Sequence, residues 1–193
     1  MIRRLCCTGA LALGLLATSA PAAHAATVSP SKWAPKFCTA LEDWQSTIQE
    51  KGGELTSALQ GVDANAQSSE AILSDARDQI SSFLDDMVAV TDSTTDKIKR
   101  AGSPSSPNGA KIAATFVNGF KAISKEFAKT QARAEKLPTN SVAAFKTKGQ
   151  QLGQALSDSG DTLSAGFGNI GKLDKGKKLE AAVKAAPECK FLT

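Results

Sequence analysis

Proton transfer near neutral pH falls most often to histidine, and this 193-residue sequence contains a single one, His24, with no tyrosine at all. His24 sits in a leader segment that is expected to be removed, so the remaining chain lacks the usual proton carrier and any serine or cysteine triad. Nucleophilic hydrolysis is therefore not expected, nor is a cofactor. Carboxylate pairs remain: Asp85-Asp86, Asp75 with Asp78, and Glu42-Asp43 have the residue types of a glycosidase acting on wall glycan. Each falls beside an apolar stripe rather than on it, and solvated helix faces are the plainer reading. No metal site is expected, because no loop carries oxygen ligands at alternating positions with the glycine that an EF-hand needs.

Two other constellations point to binding. Lys121, Lys125, Lys129 and Arg133 recur every four residues on the side of a helix opposite its apolar stripe, with Lys172, Lys175, Lys177 and Lys178 further along. Such a strip can meet an anionic cell-wall polymer or lipid headgroups. Trp33 and Trp44 are 11 residues apart, close to three helical turns, and with Phe37 they form a candidate apolar groove for a lipid or a partner protein. Core packing is the alternative for the same residues. Nucleic acid is not an expected partner, since no aromatics interleave with the basic residues.

The leader explains the address. Met1-Ile2-Arg3-Arg4 is a short positive start, Leu5 to Ala17 an apolar run, Pro21 a break, and Ala23-His24-Ala25 the small-residue pattern of a signal peptidase site. Residues 1–25 are read as a signal peptide, with cleavage after Ala22 as the runner-up. An apolar run of about 13 residues is short of the ~20 that span a bilayer, so no integral membrane span is expected after cleavage. Cys6 and Cys7 lie upstream of that run, the wrong end for lipid attachment, and the context of a twin-arginine signal is missing. The destination is outside the cell, secreted or associated with the wall.

Removing the leader takes two of 23 basic residues and leaves 19 acidic ones, so the net charge falls from +4 to +2. Overall basicity then carries no argument for a polyanionic partner. The distribution is uneven all the same: residues 26–101 hold 7 basic and 12 acidic side chains, residues 102–193 hold 14 and 7. Complementary helix faces within one fold are the plain explanation, and an outward-facing basic strip is the functional one. Cys38 and Cys189 remain near opposite ends of the mature chain. An even pair bound for an oxidising compartment reads as a disulfide.

The positioning elements are helices, because apolar residues recur three and four apart throughout residues 26–193, read as one helical domain. Trp33, Phe37, Leu41, Trp44 and Ile48 form the first stripe, with Pro35 in the opening turn. Gly52-Gly53 ends or weakens that helix, and Leu55, Leu59 and Val62 continue it or make a second piece. Leu73, Ala76, Ile80, Phe83, Met87, Val90, Thr94, Ile98 and Ala101 predict a second helix over about residues 69–101, stopped by Gly102. Asn108 is placed to cap a third, carrying Ile112, Phe116, Phe120, Ile123, Phe127, Ala134 and Leu137. The fourth starts near Ser141 with Val142, Phe145, Leu152, Leu156, Leu163, Phe167 and Ile170. Its glycines, Gly149, Gly153, Gly160, Gly166 and Gly168, mark close packing of a neighbour or fraying. A short last helix turns Leu179 and Val183 inward. The expected fold is all-α, an up-down antiparallel bundle of four main helices plus a short C-terminal helix, closed by one disulfide; an elongated coiled coil is the alternative.

Trp33-x3-Phe37-Cys38 followed by Trp44, the turn Ala101-Gly102-x-Pro104 leading to Asn108-Gly109, and the terminal Pro187-Glu188-Cys189 together resemble a group of small secreted helical proteins of actinobacteria, mostly uncharacterised. The resemblance implies secretion, helices and the disulfide. It transfers no catalytic or ligand residue. The expected role is a non-enzymatic protein binding an envelope component or partner protein, with a carrier of an apolar ligand between helices as the second reading.

Overall fold

The computed structural model describes residues 26–64, 70–168, 170–174 and 176–192. The leader, with Cys6, Cys7 and the cleavage site, lies outside the described residues, as do the side chains of Val62, Leu163, Phe167 and Ile170. Among the described residues the protein is mostly helical. A short strand β1 (Thr27–Val28) leads into α1 (Pro30–Ala64), then α2 (Glu70–Ala101), strand β2 (Ser103–Pro104), α3 (Gly109–Ala134), α4 (Val142–Gly168), α5 (Ile170–Leu173), α6 (Lys178–Ala185) and a closing 3-10 helix (Pro187–Leu192).

The helix ends follow from local chemistry, with two differences from expectation. The Ser29 carbonyl accepts the amides of Lys32 and Trp33, each at 2.9 Å, so Pro30 takes the first helical position, where a missing amide costs least. Pro35 is thereby not in the opening turn but inside α1, where it removes one internal bond. Beyond it, α1 runs unbroken through Gly52-Gly53, with the hydroxyls of Thr56 and Ser57 donating back to those two glycine carbonyls at 2.8 and 3.0 Å. Gly102 ends α2 in the left-handed region, φ 81°, as its position suggests.

Asn108 is the second difference. It precedes α3 at φ 63° without a side-chain capping bond; its Nδ2 instead donates to the Leu173 carbonyl at 3.0 Å, tying the α2–α3 link to the end of α5. The strand pair was also not anticipated. Two residues are too few to alternate, yet Ser103 N bonds the Ala26 carbonyl and Ser105 N the Val28 carbonyl, giving a parallel pair β1–β2.

Long helices pack along their sequence neighbours: α1 on α2, α2 on α3, α3 on α4, with α6 and the 3-10 helix returning to α1. The pairs Asp43–Lys97, Trp44–Thr91 and Lys51–Asp86 run in opposite chain directions, so α1 and α2 are antiparallel. One part of the core gathers Trp33, Phe37, Ile98, Ile112, Phe116, Phe120 and Leu179 around the disulfide between Cys38 and Cys189, whose Cα atoms are 5.1 Å apart. The other gathers Leu73, Ala76, Leu84, Ala134, Leu137, Phe145 and Leu152.

The buried face of α2 differs in one register from the predicted stripe. Leu84 and Thr91 are buried, whereas Phe83 and Val90 are half-buried. Leu73, Ala76, Met87, Thr94, Ile98 and Ala101 are buried as the stripe has them, so the inward face is broadened by one residue in the middle of α2 rather than shifted along it. Thr91 and Thr95 fit there because their hydroxyls are engaged: Thr91 accepts the Trp44 indole N–H at 3.0 Å, and Thr95 donates to the Thr91 carbonyl at 2.9 Å.

Candidate functional site

Half-buried Phe83 borders an apolar groove. With Leu55 and Leu59 of α1 and Ile80 and Leu84 of α2 it faces Phe145, Leu152 and Leu156 of α4 across a groove of about 530 Å³. That volume lies within the ~300–1,000 Å³ of ordinary small-molecule sites. Thr130 of α3 is part of the same wall, while Lys146 and Gln150, both exposed, belong to its outer side.

Sequence and local structure build the α4 wall together. The Ser141 hydroxyl accepts the Ala144 amide at 3.3 Å and starts the helix, which sets Phe145 and Leu152 against the core. Gly149 and Gly153, four apart, then share the groove face. A methyl group added to either would meet nothing within 4 Å. Of the two expectations for these glycines, close approach of a neighbour or fraying, the first does not hold at either; they leave room beside the leucines.

Trp33 and Phe37 are interior. Their rings stack at 4.5 Å between centroids, Phe37 lies 4.3 Å from Phe116, and the Trp33 indole donates to the Gly102 carbonyl at 2.9 Å. Trp44, half-buried, meets the Phe120 ring edge-on at 5.1 Å. The proposed aromatic groove is thus occupied by the protein's own side chains. Burial of an indole demands a partner for its N–H, and both tryptophans have one.

Lys121, Lys125, Lys129 and Arg133 are exposed on α3. Glu126 stands among them, paired with Lys129. The hydrogen bond from Lys129 holds the Glu126 carboxyl below its ordinary range, helped by the charges of Lys129, Arg133 and Lys125, so the strip carries its own counter-charge. A less compensated group lies at the end of α3. Arg133, Lys136 and Lys148 line a cleft of about 350 Å³ with Gln151, over Leu137 and Leu152, and no carboxylate is among these lining residues.

Of the acidic pairs, Asp86 lines a cleft of about 210 Å³ with Glu54, Lys51 and Gln79, but its neighbour Asp85 is not among the lining residues. Asp43 bonds Lys97 at 2.7 Å, Asp86 meets Lys51 at 3.5 Å, Asp78 is held by Arg77 at 2.7 Å, and Asp75 accepts from Gln79 at 3.3 Å. The two cross-helix pairs among these join α1 to α2. The acidic α2 does pack against the basic α3, and Lys121 adds an attraction to Asp96, whose carboxyl is lowered first by its bond from Lys99. Among the described residues no helix is long and apolar enough to cross a membrane. No family model, curated protein or solved structure matches the chain.

Proposed function

We propose that this protein is a non-enzymatic carrier, exported by its leader, that holds an apolar ligand between α1, α2 and α4. The supporting observation is the groove of about 530 Å³ walled by leucines and phenylalanines, with Gly149 and Gly153 keeping its α4 side clear. In this reading the four long helices form an up-down bundle clasped at one end by Cys38–Cys189 and left open at the other. The disulfide end supplies rigidity, and the groove end supplies binding. A solvated apolar wall gains free energy whenever an apolar ligand replaces its water, at about 25 cal/mol per Å² covered.

The test is a fluorescence titration of residues 26–193, freed of lipid, with the apolar probe phenylnaphthylamine. Saturable enhancement is expected, together with its loss in Gly149→Leu and Gly153→Leu, whose side chains would occupy the groove. A probe that binds the leucine variants as well as the parent would refute the reading.

The cleft of Arg133, Lys136 and Lys148 favours a second reading, attachment to an anionic wall polymer. Exposed cations act through long-range attraction that salt screens, with a Debye length of about 8 Å at physiological ionic strength. Sedimentation with wall fragments that disappears at high salt, and in Arg133→Ala with Lys136→Ala, is the expected outcome. Salt-independent sedimentation would exclude this cleft as its cause.

A further inference from the structure

Asparagine followed by glycine is the pair most open to attack on a side-chain amide, because glycine has no side chain to shield its backbone nitrogen. The sequence has two such pairs, Asn108-Gly109 and Asn118-Gly119. Their settings differ. Asn118 lies inside α3, where the peptide that follows it belongs to the helical ladder and turns only when that helix opens. Asn108 is exposed and stands just before the helix, at φ 63° and ψ 12°.

Asn108 is held from three sides: the Gly109 amide donates to the Ser106 carbonyl at 2.9 Å, the Ile112 amide to the Asn108 carbonyl at 2.9 Å, and Asn108 Nδ2 to the Leu173 carbonyl at 3.0 Å. At ψ 12° the Gly109 nitrogen nearly eclipses the amide nitrogen of Asn108 instead of its Cβ, so a turn of roughly 120° about the Cα–C bond must precede attack on Cγ. The folded arrangement therefore blocks the reaction. The block depends on the segment between α5 and α6, because Leu173 adjoins Asp174, 6% exposed, whose Oδ2 accepts the Leu179 and Glu180 amides at 2.9 Å each and caps α6.

We infer that Asn108-Gly109 is a covalent modification site, kept closed by the tie to Leu173 and opened when the segment between α5 and α6 comes away. In the reaction the Gly109 nitrogen gives its proton to water and attacks Asn108 Cγ; the new C–N bond closes a succinimide, and the Cγ–Nδ2 bond breaks to release ammonia. Water then adds to one of the two imide carbonyls and reopens the ring as aspartate or isoaspartate, with nothing oxidised or reduced. The change runs one way. A carboxylate has no hydrogen to donate to the Leu173 carbonyl, so the tie cannot form again, while its negative charge suits the start of α3.

Trypsin places the two pairs on separate peptides, residues 101–111 and 112–121. Mass spectrometry of oxidised residues 26–193 incubated at mildly alkaline pH then follows each conversion as a gain of about 1 Da. In concentrated urea both pairs should convert at similar rates, and folding should slow both. Asp174→Ala removes the cap of α6 and should speed conversion at Asn108 about fivefold over the folded parent, the size of one lost cap, with Asn118 left at its parent rate. An unchanged rate at Asn108 in this variant overturns the inference. Acceleration of both pairs together would mean that the variant has unfolded, and the parent in urea below its unfolding midpoint then decides. There Asn108 should convert faster than Asn118, because a local opening precedes the global one, and equal rates at the two pairs overturn the inference.

Discussion

Alanine substitutions at four glycines probe the groove through stability rather than binding. At Gly149 and Gly153 an added methyl meets nothing within 4 Å, so no packing changes and only the unfolded chain is affected. Glycine in a helix interior is less favourable than alanine by about 1 kcal/mol, so Gly149→Ala and Gly153→Ala should each stabilise by about that amount and together by about 2 kcal/mol. For a domain of this size that is a rise in Tm of about 4–8 °C. Gly102 and Gly109 are internal controls of opposite sign. A methyl on Gly102 falls 2.3 Å from the Ala26 carbonyl oxygen at φ +81°, and one on Gly109 falls 1.7 Å from the Pro104 carbonyl oxygen. The first replacement pushes on β1 and the second on the turn from β2 into α3, and a loss of at least ~2 kcal/mol is expected from either. Urea unfolding followed by helical circular dichroism measures all four, with unchanged slopes confirming that stability alone has moved. If Gly149→Ala or Gly153→Ala lowers stability as Gly109→Ala does, a neighbour fills the space and the open α4 wall is wrong.

Cys38 and Cys189 are 151 residues apart, so replacing both by serine should cost up to about 5 kcal/mol in the chain-entropy model; a denaturation midpoint equal to that of the oxidised parent would remove the disulfide from the account. Trp44→Phe removes the donor to Thr91 and should cost about 1–3 kcal/mol, and a double-mutant cycle with Thr91→Val should show coupling; additive effects would mean that the bond is not made. Bonds from Lys99, Lys129 and Lys184 hold the carboxyls of Asp96, Glu126 and Glu180 below their ordinary values of 3.8, 4.5 and 4.5. Their stabilising effect is present above those values and is lost as pH falls through the lowered ones, while the raised Lys51, paired with Glu54 and Asp86, loses its contribution only as pH climbs above 10.5. These groups are exposed, so the effect is small and salt should flatten it; unfolding midpoints that rise on acidification would contradict the sign.

The readable features were those set by neighbours in the chain. Gly102 announces the end of α2 because only a left-handed residue closes that turn without strain, and Ser141 announces the start of α4 for an equally local reason. Asn108 shows how far such reasoning reaches. Its type and place suit a cap, but the Leu173 carbonyl, 65 residues away, takes its amide instead. The tryptophans show it again. Their spacing fixed a shared direction, while Phe116, Phe120, Gly102 and Thr91, all distant in sequence, decided that the direction is inward.

The groove was the least legible part. Leu55, Leu59, Phe83, Gly149 and Gly153 each carry a weak signal, and the four-residue glycine spacing was the one hint that they share a face. Composition and period alone establish a helical chain with a pair of cysteines suited to a bridge, because helical hydrogen bonds, caps and stops act over about four residues. Whether the wall of α4 meets a neighbour or open space depends on how helices far apart in the chain are held. That is decided only when α1 is fixed on α2 and α4 on α3, leaving leucines and two glycines around the same space.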